Sequence, residues 1–235
     1  KLPRISNYTD FDPLKGDPRL RVVFADSPSE IEGSALVIIP GTKSTIEDLL
    51  WLNDKGFAAA IQRHAARGGS VFGICGGFQM LGKKVSDPFG VESPVAEAVG
   101  LCLLDTETIL GREKCTFQVS GKAAFASREF DVKGYEIHMG ESIVRGLPFA
   151  AITERNGSVV SVVDGCSSSD GRVCGTYIHG IFDNDGFRDA LFESLGAGVD
   201  ARSAFSEARE ASLAELARLF EESVEMEEVL RAIGL

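Results

Sequence analysis

Residues 70–82 read Ser-Val-Phe-Gly-Ile-Cys-Gly-Gly-Phe-Gln-Met-Leu-Gly. A short apolar run enters a corner walled by Gly73, Gly76 and Gly77, and a helix-forming run leaves it at once. A strand that turns directly into a helix is half of a parallel β-α unit, so this stretch restricts the fold class more than any other. Its neighbours agree. "SALVIIP" (34–40) is a second buried strand, and Thr45 to Gly56 reads as a helix. Thr45 would cap that helix with Asp48 three residues on, and Gly56 would stop it. Residues 57–69 form another helix before the strand at 70–74, a helix follows over 77–85, and "RVVFAD" (21–26) adds one more strand. The expected fold is α/β, a doubly wound, largely parallel sheet flanked by helices. Ligands gather at the carboxyl ends of such strands, where Pro40 and Cys75 both lie.

The second half changes character. Segments 101–105, 115–120, 132–139, 158–163 and 172–178 read as strands separated by turns such as "ERNGS" and "DGCSSSDGR", which predicts added antiparallel structure. Helix returns over 184–196, and 206–235 reads as one or two acidic amphipathic helices. Leu213, Leu216, Leu219 and Phe220 share a face of this tail and are expected to pack on its own domain. The organisation expected is a linker over 1–20, the main domain over 21–200 and a helical extension over 201–235.

Charge and cysteine usage exclude several classes. A net charge of −11 repels phosphate backbones and anionic bilayers, so neither nucleic acid nor membrane is an expected partner. No apolar run reaches the length of a membrane span. Five cysteines with no C-x-x-C pair support neither a disulfide framework nor a structural zinc site. A reducing, cytoplasmic setting fits this usage, and no metal or cofactor is expected in the chain. No glycine-rich loop ending in G-K-[ST] occurs either, so ATP has no such cradle here.

The glycine-walled corner suits a nucleophile. It lifts Cys75 above the sheet, sets it at a helix N-terminus that favours a thiolate, and aims the Gly76 N–H at an incoming carbonyl oxygen. A thiolate needs a proton partner, and the chain has three histidines. His64 lies in a helix among Ala and Arg and reads as a surface residue. His179, at the end of the apolar run "VCGTYIHG", is the expected base, with His138 in "GYEIHMG" as the competitor. The Pro-Gly-Thr turn after the strand at 34–40 offers backbone N–H groups of Gly41 or Thr42 as further oxyanion donors.

"GICGGFQMLG" resembles the nucleophile segment of the class I, triad-type glutamine amidotransferases. "VIIPGTKSTIEDLLWL", "GYEIHMG" and "GTYIHGIFDN" resemble the CobB/CobQ-like, cobyric acid synthase branch of that family, as does the opening "LPRISNYTDFDPL". The resemblance runs from about Leu2 to Leu195. It implies that Cys75 forms a γ-glutamyl thioester with glutamine and that His179 shuttles the protons. It also implies that Gly76 with Gly41 or Thr42 holds the oxyanion, and that Gln79 helps hold the substrate. Ammonia would pass to an ATP- and Mg-dependent N-terminal synthetase domain that amidates a corrinoid acceptor. The related alternatives are a cobyrinic acid a,c-diamide synthase, a cell-wall lipid amidating complex, or a weakly active partner-binding module. One departure stands out. The broader family places a glutamate two residues after the histidine, and here that residue is Ile181, which implies a Cys–His dyad. "GYEIHMG" has no derivable chemistry of its own.

Overall fold

The computed structural model describes residues 1–198 and 205–234. In chain order, a one-turn helix α1 (Asp12–Lys15) precedes β1 (Leu36–Ile39), α2 (Thr45–Asp54), α3 (Phe57–Ala66), β2 (Ser70–Ile74) and α4 (Gly76–Leu81). Then come β3 (Lys84–Ser86), β4 (Glu97–Val99), β5 (Thr106–Phe125), β6 (Arg128–Val144), β7 (Ala150–Arg155) and β8 (Ser158–Asp164). The chain closes with β9 (Cys166–Ser167), β10 (Val173–Thr176), β11 (Ile178–His179), α5 (Asp185–Ser194), α6 (Phe205–Ser223) and α7 (Met226–Ala232).

These elements form two sheets with helices packed on them. The first has the order β1-β2-β10-β9, its first three strands parallel, as a buried β-α arrangement requires. The second runs β11-β6-β5-β3-β4 and adds β7 and β8 beside β5. It is mostly antiparallel, built on the long β5–β6 hairpin. Tyr177 alone separates β10 from β11, so the chain passes from one sheet to the other within a single residue. His179, the last residue of β11, therefore stands where the sheets meet, opposite Tyr135 of β6.

Phe72 of β2 centres the core. Its ring meets those of Phe149 at 5.5 Å, Phe182 at 5.3 Å and Phe187 at 6.1 Å. Aromatic rings joined in tilted and edge-on pairs bury much area and lock β2, the strand that carries Cys75, against the 181–194 region.

Several sequence expectations change. Residues 21–26 form no strand; Phe24 instead packs its ring 5.7 Å from Phe11 and 5.8 Å from Tyr8, while Val23 is exposed, so the run is only partly covered and joins no ladder. Residues 101–105 are not a strand either. Their N–H groups close the end of α4, with Leu101 donating to Met80 O and Leu103 and Leu104 to Leu81 O, groups a short helix leaves orphaned. Helix α4 stops at Leu81, and β3 occupies part of the range expected to be helical. The expected capping box at Thr45 is absent. Ser44 is the cap residue of α2, and the Glu92 carboxylate closes the helix by accepting from Thr45 N at 2.8 Å. Residues 1–20 are not a free linker, because Leu2, Phe11 and Leu14 are buried in the core. The tail face expected to pack on its own domain does not: Leu213, Leu216, Leu219 and Phe220 are exposed. Residues 201–204 of the expected extension lie outside the described residues.

Replacing Phe72 with Ala empties the centre of the aromatic cluster, so Phe72→Ala is expected to cost about 3–5 kcal/mol of stability, read by denaturant unfolding.

Candidate active site

Cys75 sits between β2 and α4 with φ 52° and ψ −111°, a left-handed conformation that a side chain rarely adopts. Strain of this kind costs roughly 1–3 kcal/mol and persists only where neighbours over-determine it. They do so here. Cys75 N donates to Thr176 O at 2.8 Å, Cys75 O accepts from Gln79 N at 3.0 Å, and α4 presses against the end of β1. A Cβ on Gly77 would stand 2.0 Å from Ile39 O, so only glycine permits that approach. The corner is thus forced by packing, and it delivers the thiol to the sheet rim.

The turn after β1 forms the opposite wall. A Cβ on Gly41 would lie 3.0 Å from His179 Cε1 and 3.6 Å from Cys75 Cβ. One on Gly76 would lie 3.2 Å from Thr42 N. The turn, the nucleophile corner and the histidine therefore converge on one small volume, with the Gly76 and Thr42 backbones side by side. Asp48, fully buried in α2, holds the turn: it accepts from Thr42 Oγ1 at 2.5 Å and from Arg4 N at 3.2 Å, and pairs with Arg4 Nη1 at 2.9 Å. Asp48, which spacing assigned to a capping box, is instead the post to which the turn is tied.

His179 is almost completely buried, and its Nδ1 lies 2.8 Å from Asp10 Oδ2, while Asp10 Oδ1 accepts from Gly180 N at 2.9 Å. Burial is the largest influence on this imidazole and lowers its pKa. The Asp10 hydrogen bond and then the Cys75 sulfur oppose it and together prevail, pushing His179 up to about 10. Asp10, which no motif singled out, therefore stands behind the histidine that the sequence offered as the base. Ile181, standing where the broader family keeps its glutamate, is fully buried among apolar neighbours. The carboxylate comes from the far end of the chain instead.

That N-terminal segment is fastened along its length. Ser6 N donates to Gly41 O at 3.0 Å, Lys43 N donates to Arg4 O at 3.1 Å, and Ile5 and Thr42 form an isolated antiparallel bridge. One run, residues 4–10, therefore touches both the turn after β1 and the histidine.

The remaining sequence candidates fall as follows. His138 is turned away from base chemistry. Its Nδ1 lies 3.1 Å from Gly140 O, its ring stacks 3.9 Å from that of Tyr177, and burial pushes it down to about 4. His64 is half-buried with Nε2 3.0 Å from Ser70 O. The Gln79 side chain is occupied by the protein: Nε2 donates to Met139 O and Tyr177 Oη, both at 3.2 Å, and Oε1 accepts from Thr45 Oγ1 at 2.8 Å. In these contacts it ties α4 to β6. "GYEIHMG" lines the site with backbone, since Ile137 O lies 3.4 Å from Cys75 Sγ. Among the described residues no group of three or more His, Cys, Asp or Glu is arranged to hold a metal, and no helix is long and apolar enough to cross a membrane.

The chain matches the CobB/CobQ-like glutamine amidotransferase domain over residues 1–187. It is 41% identical to a cobyric acid synthase of Syntrophobacter fumaroxidans, covering 100% of this chain and 48% of that protein. It is 39% identical to the cobyric acid synthase of Chlorobaculum tepidum, covering 100% of this chain and 46% of that protein. The chain thus spans about half the length of the curated relatives it matches. In fold it is similar to a solved glutamine amidotransferase, with a TM-score of 0.55 at 17% identity over 83% of this chain and 96% of the other. From the matched family and these relatives, the chain belongs to the CobB/CobQ-like glutamine amidotransferase domain family.

Proposed function

We propose that this chain is the glutaminase part of a cobyric acid synthase, in which Cys75 and His179, with Asp10 behind the histidine, release ammonia from glutamine. The observation that carries the reading is the strained Cys75 corner facing a buried histidine that is hydrogen-bonded to a carboxylate. Attack of the Cys75 thiolate on the glutamine side-chain carbonyl carbon forms a C–S bond and an oxyanion. N–H groups of Gly76 and of Gly41 or Thr42 receive that charge. Collapse breaks the C–N bond, and protonated His179 gives its proton to the departing nitrogen, which leaves as ammonia.

The same electrostatics prepare the second half-reaction. Cys75 contributes to holding His179 protonated in the free site. In the thioester the sulfur is neutral, so that contribution is gone. Having also lost its proton, His179 can take one from water, whose oxygen displaces the sulfur and releases glutamate. Asp10, an acceptor only, keeps the Nδ1 proton in place and leaves Nε2 for the reacting atoms. The ammonia would then serve an ATP- and Mg-dependent synthetase half that amidates corrinoid carboxylates. The names of the relatives and the half-length match support that assignment.

Ammonia release from glutamine tests the reading, with Cys75→Ser and His179→Ala both expected to abolish turnover. Release that survives either change would overturn it. Asp10→Asn is expected to keep the fold and lower kcat on the order of 10⁴-fold, since the wrong ring tautomer becomes available. The pH dependence has a definite sign. Wild-type kcat/KM falls as pH rises through about 10, where His179 loses the proton that the leaving nitrogen needs. In Asp10→Asn that alkaline limb moves to lower pH, because the carboxylate favouring the charged ring is gone.

A further inference from the structure

The Asp10 hydrogen bond fixes one direction in the imidazole plane of His179 but leaves the ring free to tilt about the Nδ1–Oδ2 line. Two other groups meet that ring. Tyr135 lies directly opposite His179 in the β6–β11 pairing, and its ring stacks on the imidazole at 5.2 Å with an 18° interplanar angle. Directly paired strand positions bring side chains onto the same face, so the register itself creates this contact. The Asn7 amide donates to the Tyr135 hydroxyl, and its nitrogen also lies 3.1 Å from His179 Nδ1. Asn7 belongs to the same N-terminal run as Asp10. The hydroxyl of Tyr135 therefore joins that run to β6, and its ring covers one face of the base.

We propose that Tyr135 and Asn7 form a clamp that positions the catalytic imidazole: the Tyr135 ring fixes its plane, and the Tyr135–Asn7 hydrogen bond seats the N-terminal run that delivers Asp10. This deepens the glutaminase reading of the same site and rests on it. It also gives "GYEIHMG" a role that its residue types did not suggest. The physical need is plain, since misplacing a reacting group by about 1 Å can cost about 10²-fold in rate. A π-face beside the ring also favours the imidazolium that protonates the leaving nitrogen. Tyr135 suits the task as a neutral phenol. Burial chiefly, aided by the Asp10 and Asp183 carboxylates, raises its pKa above the ordinary tyrosine value, against the Asn7 and Thr9 hydrogen bonds.

The test uses the full chain, with glutamine turnover and the imidazole N–H signals of its three histidines in NMR as separate readouts. Tyr135→Leu removes ring and hydroxyl and is expected to lower kcat by about 30-fold or more with KM within about twofold, and to weaken the protected Nδ1–H signal of His179. Tyr135→Phe keeps the ring and should recover much of the loss. Asn7→Ala should cost at least as much as Tyr135→Phe, and the double variant should be no worse than Asn7→Ala, because the Tyr135–Asn7 hydrogen bond is lost in all three. Melting temperatures are recorded alongside to separate positioning from unfolding. If Tyr135→Leu leaves both kcat and the Nδ1–H signal intact, or raises KM alone, the clamp is overturned while the glutaminase reading stands. If the wild type never releases ammonia yet Tyr135→Leu abolishes the signal, the contacts hold the ring as described, but the glutaminase reading falls and the catalytic purpose of the clamp falls with it.

Discussion

The hydrogen bond between Asp10 and His179 joins residues 169 positions apart and closes the site on itself. A buried imidazole alone would be driven towards neutrality, since a low-dielectric surrounding penalises the charged form. A carboxylate alone at that depth would be more costly still. Each makes the other tolerable. The second oxygen of Asp10 is used as well, accepting from Gly180 N, so the pair is anchored to the backbone just past β11. The junction of the two sheets, the fastening of the N-terminal run and the position of the base all converge on this contact.

Asp48 performs the matching task on the other wall. Its carboxylate gathers Thr42, the Arg4 backbone and the Arg4 guanidinium at one buried point of α2. Hydrogen bonds to a charged acceptor are stronger than neutral ones, which suits a turn that has to stay fixed while charge develops beside it. The two carboxylates thus fasten the ends of residues 4–10: Asp48 holds Arg4 beside the Thr42 turn, and Asp10, itself the end of the run, holds His179 and Gly180. Cys75, the turn at Gly41 and Thr42, and His179 come from three strand ends, and this strap aligns the latter two.

The parallel core and the nucleophile corner were legible because each is written locally: an apolar run, a glycine-walled turn, a helix. His179 was legible as a strand-end histidine before a glycine. Asp10 was not, because nothing in "NYTDFDPL" marks that aspartate over Asp12, and a contact across the whole chain leaves no periodic trace. Residues 21–26 misled because apolar, β-branched composition does not by itself supply a strand partner; here Phe24 packs on aromatic rings and Val23 stays exposed. Residues 101–105 misled for a related reason, their N–H groups being used to close α4. Glu92 capping α2 from a distant loop shows the same limit, since local spacing had pointed to Asp48.

The N-terminal run also bears on where one domain ends and the next begins. Hydropathy and turn residues place the edge near residue 20, and a dissection made there would retain the cysteine, the histidine and both sheets. It would discard the carboxylate hydrogen-bonded to His179, together with the backbone pairing that steadies the turn at Gly41 and Thr42. The border that the sequence suggests and the border of the packed domain therefore differ in this chain, since Leu2, Phe11 and Leu14 also lie in the core. The run before residue 20 is bound to the ring of His179, so a mechanical pull on that run would be felt first at this imidazole.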